Sequence, residues 1–158
     1  MLKNKKGKIM SKILIKFISV IFLFSVSAFA SDEKDAVCPI SGEVIKNTTT
    51  KTEFKKGSVY FCTESCKLDF TKNVKKYASK GNFQLASTGQ YVQENCPVTG
   101  RKLKKNPKKP KIVSISAKDV ELCCGGCMKK ASKMKDAEKF ELLFSDKSFK
   151  KGFKVASK

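Results

Sequence analysis

The sequence contains no histidine, and this absence excludes more function classes than any motif in the chain. Without an imidazole, the chain has no Ser-His-Asp or Cys-His catalytic pair, no His-ligated catalytic zinc and no His-based switch at physiological pH. Most hydrolase chemistry is therefore disfavoured. We expect a protein without catalytic turnover.

The chain also lacks an apolar run of the ~18 to 20 residues that a membrane span needs. The clean apolar stretch at residues 17–24 follows six lysines and leads into small residues that end at Ala30. A basic, an apolar and a small-residue segment in this order form a secretory signal. We predict a signal peptide over residues 1–30, read from Met1 or Met10, and an exported protein, periplasmic or secreted. An uncleaved membrane anchor is the alternative.

Arginine and acidic residues are scarce in an otherwise basic chain. The sequence has 34 basic and 14 acidic residues, and Arg101 is its single arginine. Removal of residues 1–30 takes away six lysines and no acidic residue, and it leaves 28 basic and 14 acidic residues, a net charge of +14. Base-edge readout prefers the arginine fork to lysine, so we expect no nucleic-acid partner. We interpret the basic surface as solvated and facing an anionic envelope.

Seven cysteines form the most regular pattern in the chain. Six of them repeat one arrangement: the cysteine of a Cys-Pro-x-x-Gly segment is followed, after 23 or 26 intervening residues, by two cysteines that have three residues between them. The members are Cys38, Cys62 and Cys66 in the first repeat and Cys96, Cys123 and Cys127 in the second repeat. Cys124 lies outside the pattern. Three cysteines cannot all pair within one repeat, so the spacing favours a metal site over a disulfide framework.

Local patterns predict the same small fold in both repeats. Cys-Pro-x-x-Gly predicts a tight turn, because proline fixes φ and glycine adopts positive φ. In the first repeat, residues 52–54 and 59–61 predict a β-hairpin, followed by a helix that Thr63 or Ser65 caps. The apolar stripe of this helix consists of Cys66, Phe70, Val74 and Tyr77. In the second repeat, residues 112–115 and 120–122 predict the strands, and the helix carries Cys127, Ala131 and Met134.

The fold class that follows is α+β, with two small units that each contain a cysteine turn, a β-hairpin and a helix. Between the units, alternating Phe83, Leu85 and Tyr91 around a Thr88-Gly89 turn predict a second hairpin. The amphipathic tail from Phe140 to Phe153 is expected to pack back on the second unit. The predicted parts are a signal peptide at 1–30, a first unit at 31–81, a connecting hairpin at 82–95 and a second unit with the tail at 96–158.

The placement of the paired cysteines suits thiolate chemistry. Two cysteines four positions apart in the first turn of a helix lie on one face, and the helix amino terminus stabilises the thiolate over the thiol. The third cysteine, from the earlier turn, closes the cluster. Units of ~50 to 60 residues have marginal hydrophobic cores, so a metal or disulfide cross-link is expected in each.

At these residues the sequence resembles the TRASH domain, named for trafficking, resistance and sensing of heavy metals, and the related YHS domain. The resemblance rests on the cysteine spacing, on the Lys-x-x-Phe segment that ends at Phe70, and on residues 59–62 and 75–77. The resemblance covers residues 38–77 well and residues 96–134 less well, because Ala131 stands in the second repeat where Phe70 stands in the first. It implies a treble-clef-like fold with metal ligands at Cys38, Cys62, Cys66, Cys96, Cys123 and Cys127.

Three thiolates per site leave the identity of the metal open between copper and zinc. Related ribosomal zinc modules have a further cysteine where this chain has Ser41 and Thr99. Structural zinc takes four protein ligands, so zinc requires a carboxylate such as Glu64, or Cys124 in the second repeat. Cu(I) accepts three thiolates, and Hg or As(III) fits the same pocket. We slightly favour Cu(I).

Two other functions compete with metal binding. One is a basic secreted protein cross-linked by disulfides without metal, since exported cysteines are commonly oxidised. The other is a thiol-disulfide oxidoreductase, because Cys124 and Cys127 form a Cys-x-x-Cys motif at a predicted helix start. We favour a metal chaperone, buffer or sensor with the metal ion as its ligand. A metal-donating or metal-receiving envelope protein is its candidate partner.

Overall fold

The structure is a computed structural model that describes residues 36–46, 48–104 and 108–157. The predicted signal peptide lies outside these residues. Within them, the chain forms short strands and helices in an α+β arrangement, as the sequence predicts. The elements are β1 Ala36–Val37, β2 Val44–Ile45, β3 Lys51–Phe54, β4 Gly57–Tyr60, α1 Glu64–Lys72, α2 Val74–Ser87, β5 Tyr91–Gln93, β6 Lys111–Ile115, β7 Lys118–Leu122, α3 Gly125–Ser132, α4 Asp136–Phe144, α5 Asp146–Gly152 and β8 Phe153–Val155.

The first repeat contains the predicted turn, hairpin and helix. Strands β1 and β2 pair antiparallel on either side of the Cys38 turn, and β3 pairs with β4 in a tight hairpin. Thr63 caps α1, because its side chain accepts a hydrogen bond from the Cys66 backbone N–H at 3.2 Å. The sequence-based prediction of hairpin and cap is confirmed.

The helix after Cys66 is not continuous. Helix α1 ends at Lys72 and α2 begins at Val74, with Asn73 between them in a non-helical conformation. The predicted stripe is therefore interrupted: Phe70 is buried, whereas Val74 is 38% exposed. The Asn73 side chain donates to the carbonyl of Asp69, an interaction by which asparagine competes with a continuing helix.

The second repeat has the same order of elements. Strands β6 and β7 form a hairpin whose turn residues, Ser116 and Ala117, both have positive φ. Two consecutive residues of this kind define the turn that matches the twist of paired strands. Helix α3 carries Cys127 and Ala131 as predicted, but it ends before Met134.

The predicted connecting hairpin at residues 82–95 is wrong. Residues 82–87 belong to α2, and β5 pairs with β8 rather than with a neighbouring strand. The alternation of Phe83 and Leu85 misled the prediction because α2 is buried around its circumference here: Phe83, Gln84, Leu85 and Ala86 are all inside. A helix buried on all sides needs no 3.6-residue apolar period.

The carboxy-terminal tail joins the two repeats instead of covering the second alone. The ring of Phe83 in α2 lies 5.1 Å from that of Phe140 and 5.2 Å from that of Phe144 in α4. Asn82 donates to the backbone carbonyl of Phe144 at 2.8 Å. Buried residues of both repeats and of the tail form one hydrophobic core, so the units do not fold around separate cores.

The helices in the described part of the chain are too short or too polar to cross a membrane.

Candidate metal centre

Each repeat brings its three cysteines together. The Sγ atoms of Cys38, Cys62 and Cys66 all lie within 4.8 Å of one another; we call this group the first triad. Cys38 follows β1, Cys62 follows β4, and Cys66 lies in the first turn of α1. The Sγ atoms of Cys62 and Cys66 are 3.5 Å apart. These separations suit three sulfur ligands on one ion.

The second triad consists of Cys96, Cys123 and Cys127 and has the same construction. Its three Sγ atoms also lie within 4.8 Å of one another, and those of Cys123 and Cys127 are 3.9 Å apart. The structure therefore places together all six cysteines of the repeated pattern, as two groups of three. All seven cysteines are free thiols.

The two Cys-Pro-x-x-Gly segments form nearly identical turns. Gly42 has φ +80° and its N–H donates to the Cys38 carbonyl at 2.9 Å; Gly100 has φ +79° and donates to the Cys96 carbonyl at 2.7 Å. A positive φ is the conformation that glycine adopts without strain, as the sequence predicts for these positions. The turns hold Cys38 and Cys96 at the buried side of each triad.

Backbone amides and one hydroxyl favour the thiolate of Cys38. Burial raises the pKa of this thiol, but hydrogen bonds from the Ser41 hydroxyl and from the N–H groups of Cys62, Ser41 and Ile40 outweigh burial and lower the pKa to about 7. A thiolate is the form that binds metal.

Cys96 is stabilised in the same way in the second triad. Burial raises its pKa, and donors from Cys123, Thr99 and Val98 lower the pKa to about 7. In both repeats, hydrogen-bond donors therefore bring the pKa of the turn cysteine close to neutral pH.

The cysteines in the helices have the opposite tendency. For Cys66, the Thr63 hydroxyl lowers the pKa, but burial and the neighbouring sulfurs of Cys62 and Cys38 raise it above the usual value. Burial raises the pKa of Cys127 strongly, and nearby Cys124, Cys123 and Cys96 add to this effect. Thiolates this close repel one another, and a bound cation removes that repulsion.

A hydroxyl group lies beside each triad, on the residue three positions after the turn cysteine. The Oγ of Ser41 is 3.3 Å from the Sγ of Cys62, and the Oγ1 of Thr99 is 3.3 Å from the Sγ of Cys123. Glu64, the carboxylate considered as a fourth ligand, is exposed and forms an ion pair with Lys67 at 3.2 Å. It is not one of the residues of the first triad.

Cys124 lies at the rim of the second triad. Its Sγ is 3.6 Å from the Sγ of Cys127, although Cys124 is outside the group of mutually close sulfurs. Hydrogen bonds from the Cys127 backbone and from the Cys127 and Cys123 side chains lower its pKa. The second repeat therefore has a fourth thiol next to one member of its triad, whereas the first repeat has no fourth cysteine.

Sequence reasoning missed two glutamines that hold the triads in shape. Gln84 donates to the carbonyl of Val37, at 2.9 Å, and to that of Tyr60, at 2.8 Å, and accepts from the Tyr60 N–H at 2.7 Å. It thereby joins the strand before Cys38 to the strand before Cys62.

Gln93 makes the same set of bonds in the second repeat. It donates to the carbonyl of Asn95, at 3.1 Å, and to that of Glu121, at 2.6 Å, and accepts from the Glu121 N–H at 3.0 Å. Gln84 follows its triad in sequence and Gln93 precedes its own, so the repeated cysteine pattern contained no signal for them.

A comparison of the chain with protein-family models, with curated proteins and with solved structures finds no match.

Proposed function

We propose that the chain is a heavy-metal-binding protein that holds a thiophilic ion at each triad as its cargo. The observation that supports this most directly is the convergence of three cysteines, twice, within 4.8 Å. Sulfur ligands select soft ions over hard ones. The lowered pKa of Cys38 and of Cys96 supports the same proposal, since one cysteine of each triad is then partly in the thiolate form at neutral pH.

Cu(I) is our preferred cargo, with zinc as the alternative. Three sulfurs with a hydroxyl in the fourth position favour an ion that accepts trigonal coordination. The resemblance to TRASH and YHS domains and the predicted signal peptide point to handling of heavy metals outside the cytosol. We propose the role of a chaperone, buffer or sensor that exchanges its ion with an envelope protein, without catalytic turnover.

The test is to measure the metal content of the anaerobically purified protein, together with a count of free thiols. We expect two equivalents of a soft metal per chain and protection of six or seven thiols from alkylation. A protein that binds neither Cu(I) nor Zn²⁺ while its thiols are reduced would contradict the proposal.

A second candidate is a thiol-disulfide oxidoreductase, which the 3.6 Å separation of the Cys124 and Cys127 sulfurs favours. This function requires Cys124, whereas metal binding at the first triad does not. Disulfide reductase activity that disappears in Cys124→Ser, in a protein without bound metal, would support this candidate over the first.

A further inference from the structure

Position 63 of the first repeat and position 124 of the second are equivalent, because each directly follows the cysteine at the end of the hairpin. Both residues are helix N-caps with extended backbones: Thr63 has φ −144° and ψ 160°, and Cys124 has φ −157° and ψ 164°. The Thr63 side chain caps α1, whereas the Cys124 side chain makes no capping hydrogen bond. The same backbone position therefore presents a capping hydroxyl in one repeat and a free thiol in the other.

The sulfur of Cys124 is at a distance that suits a shared ion. Thiolates bound to one tetrahedral zinc, with metal-sulfur bonds of about 2.3 Å, stand about 3.8 Å apart. The Sγ of Cys127 is 3.6 Å from that of Cys124 and 3.9 Å from that of Cys123. Cys127 thus has two sulfur neighbours at nearly this spacing.

The two residues that follow Cys124 are glycines with little around them. A Cβ atom added to Gly125 would contact nothing within 4 Å, and one added to Gly126 would contact only the Cys124 sulfur, at 3.7 Å. The first repeat has Glu64 and Ser65 at these positions. Because both following residues are glycines, neither carries a side chain beside the Cys124 sulfur, which lies 3.6 Å from the Cys127 sulfur.

We propose that the two sites take different classes of metal ion. Cys124 makes the second repeat a four-thiolate site for a tetrahedral divalent ion such as Zn²⁺, and the first triad remains a three-thiolate site for a soft monovalent ion such as Cu(I). This inference rests on the proposed metal-binding function and adds a selectivity to it. The selectivity is determined by the residue at one equivalent position.

A reciprocal exchange tests this directly in the full chain. The variants are Cys124→Thr, which removes the fourth thiol, and Thr63→Cys, which adds one to the first repeat; Thr63→Ser keeps the capping hydroxyl and is the matched control. Each variant is titrated with Zn²⁺ and with Cu(I) against competing chelators. Inactivation of one triad, by Cys62→Ser with Cys66→Ser or by Cys123→Ser with Cys127→Ser, assigns the signal to a site.

We expect Cys124→Thr to lower the Zn²⁺ affinity of the second site by about tenfold or more, since loss of even an indirect partner of a metal ligand costs that much. Its Cu(I) affinity should change little. Thr63→Cys should raise the Zn²⁺ affinity of the first site, and Thr63→Ser should leave it unchanged.

Two results would overturn the inference: an unchanged Zn²⁺ affinity in Cys124→Thr, or an equal loss of both metals, which would mean a general disturbance of the site. Failure of the unmodified protein to bind either metal would instead contradict the proposed function itself.

Discussion

Gln84 and Gln93 make the same three hydrogen bonds to equivalent backbone groups from non-equivalent positions in the sequence. Each side-chain amide contacts the residue before the turn cysteine and both backbone groups of the residue two positions before the hairpin-end cysteine. One glutamine therefore fixes the distance between the two halves of each triad. The cysteines repeat by sequence, whereas the groups that position them repeat only in space.

Replacement of these glutamines should affect the two sites separately. Gln93→Met keeps the length of the side chain but removes its hydrogen bonds, so we expect weaker metal binding in the second repeat and unchanged binding in the first. Gln84→Met should weaken metal binding in the first repeat and leave binding in the second unchanged. Because Gln84 is fully buried and satisfies three backbone groups, its loss should also lower the free energy of unfolding by about 2 to 4 kcal/mol.

Denaturant unfolding measures the change in the free energy of unfolding, and metal titration of each site measures the change in affinity. A general structural role would reduce binding at both sites equally, because the repeats share one core. Such an equal reduction would contradict the positioning role of the glutamines.

Removal of the first triad should leave the second loaded. The double substitution Cys62→Ser with Cys66→Ser removes two of three sulfurs that lie within 4.8 Å, so bound metal should fall to half. Elemental analysis of the purified protein measures this. The matched double substitution Cys123→Ser with Cys127→Ser should also halve the bound metal, and it should leave the first triad loaded. Metal content equal to that of the unmodified protein would mean that the first triad is not a ligand set.

A thiol in place of the Ser41 hydroxyl should convert the first triad into a better zinc site. The Oγ of Ser41 lies 3.3 Å from the Cys62 sulfur, so Ser41→Cys places a fourth sulfur beside the triad. We expect Zn²⁺ affinity to rise and Cu(I) affinity to change little, because three thiolates already satisfy Cu(I).

Thr99→Cys is the counterpart in the second repeat. It should raise the affinity for Zn²⁺ less, because Cys124 already provides a fourth thiol there. Competition titrations compare the two variants, and an equal gain at both sites would be inconsistent with a ligand role for Cys124.

The metal-free protein should lose stability as the pH falls through about 7. Folding lowers the pKa of Cys38 and of Cys96 to about 7, below the value of an unfolded cysteine. Ionisation therefore favours the folded chain; this contribution is complete above the unfolded pKa and is lost as protons bind near pH 7.

Denaturant unfolding of the reduced, metal-free protein between about pH 6 and about pH 8.5 measures this dependence. Ser41→Ala removes one hydrogen-bond donor to Cys38 and should make the free energy of unfolding depend less on pH. A stability that stays constant over this range in the unmodified protein would show that neither thiol ionises as described.

The parts of the site that depend on local chemistry were accessible from the sequence. The Cys-Pro-x-x-Gly turns need a glycine with positive φ, and Gly42 and Gly100 have it. The cap at Thr63 and both hairpins follow from short-range preferences. Since these elements carry the cysteines, the sequence alone was enough to predict which three cysteines form each triad.

The arrangement of the connecting segment and the tail was not accessible in this way. Residues 82–87 alternate like a strand but are helical, because the tail covers the side of α2 that would otherwise face solvent. Likewise, β5 finds its partner in β8, far along the chain. Tertiary contacts of this kind override local propensity, and a single sequence does not display them.

The carbonyl of Gly152 accepts hydrogen bonds from the N–H groups of Glu94 and Asn95, and a Cβ atom at Gly152 would lie 2.9 Å from Pro97. The turn of the second triad is thus held by a segment that comes after every cysteine in the sequence. The last cysteine of this triad is Cys127, yet its surroundings depend on residues up to Val155, because β8 pairs with β5 directly before the turn. Truncation of the chain after the last cysteine would therefore keep every sulfur of the second triad and remove the segment that holds its turn.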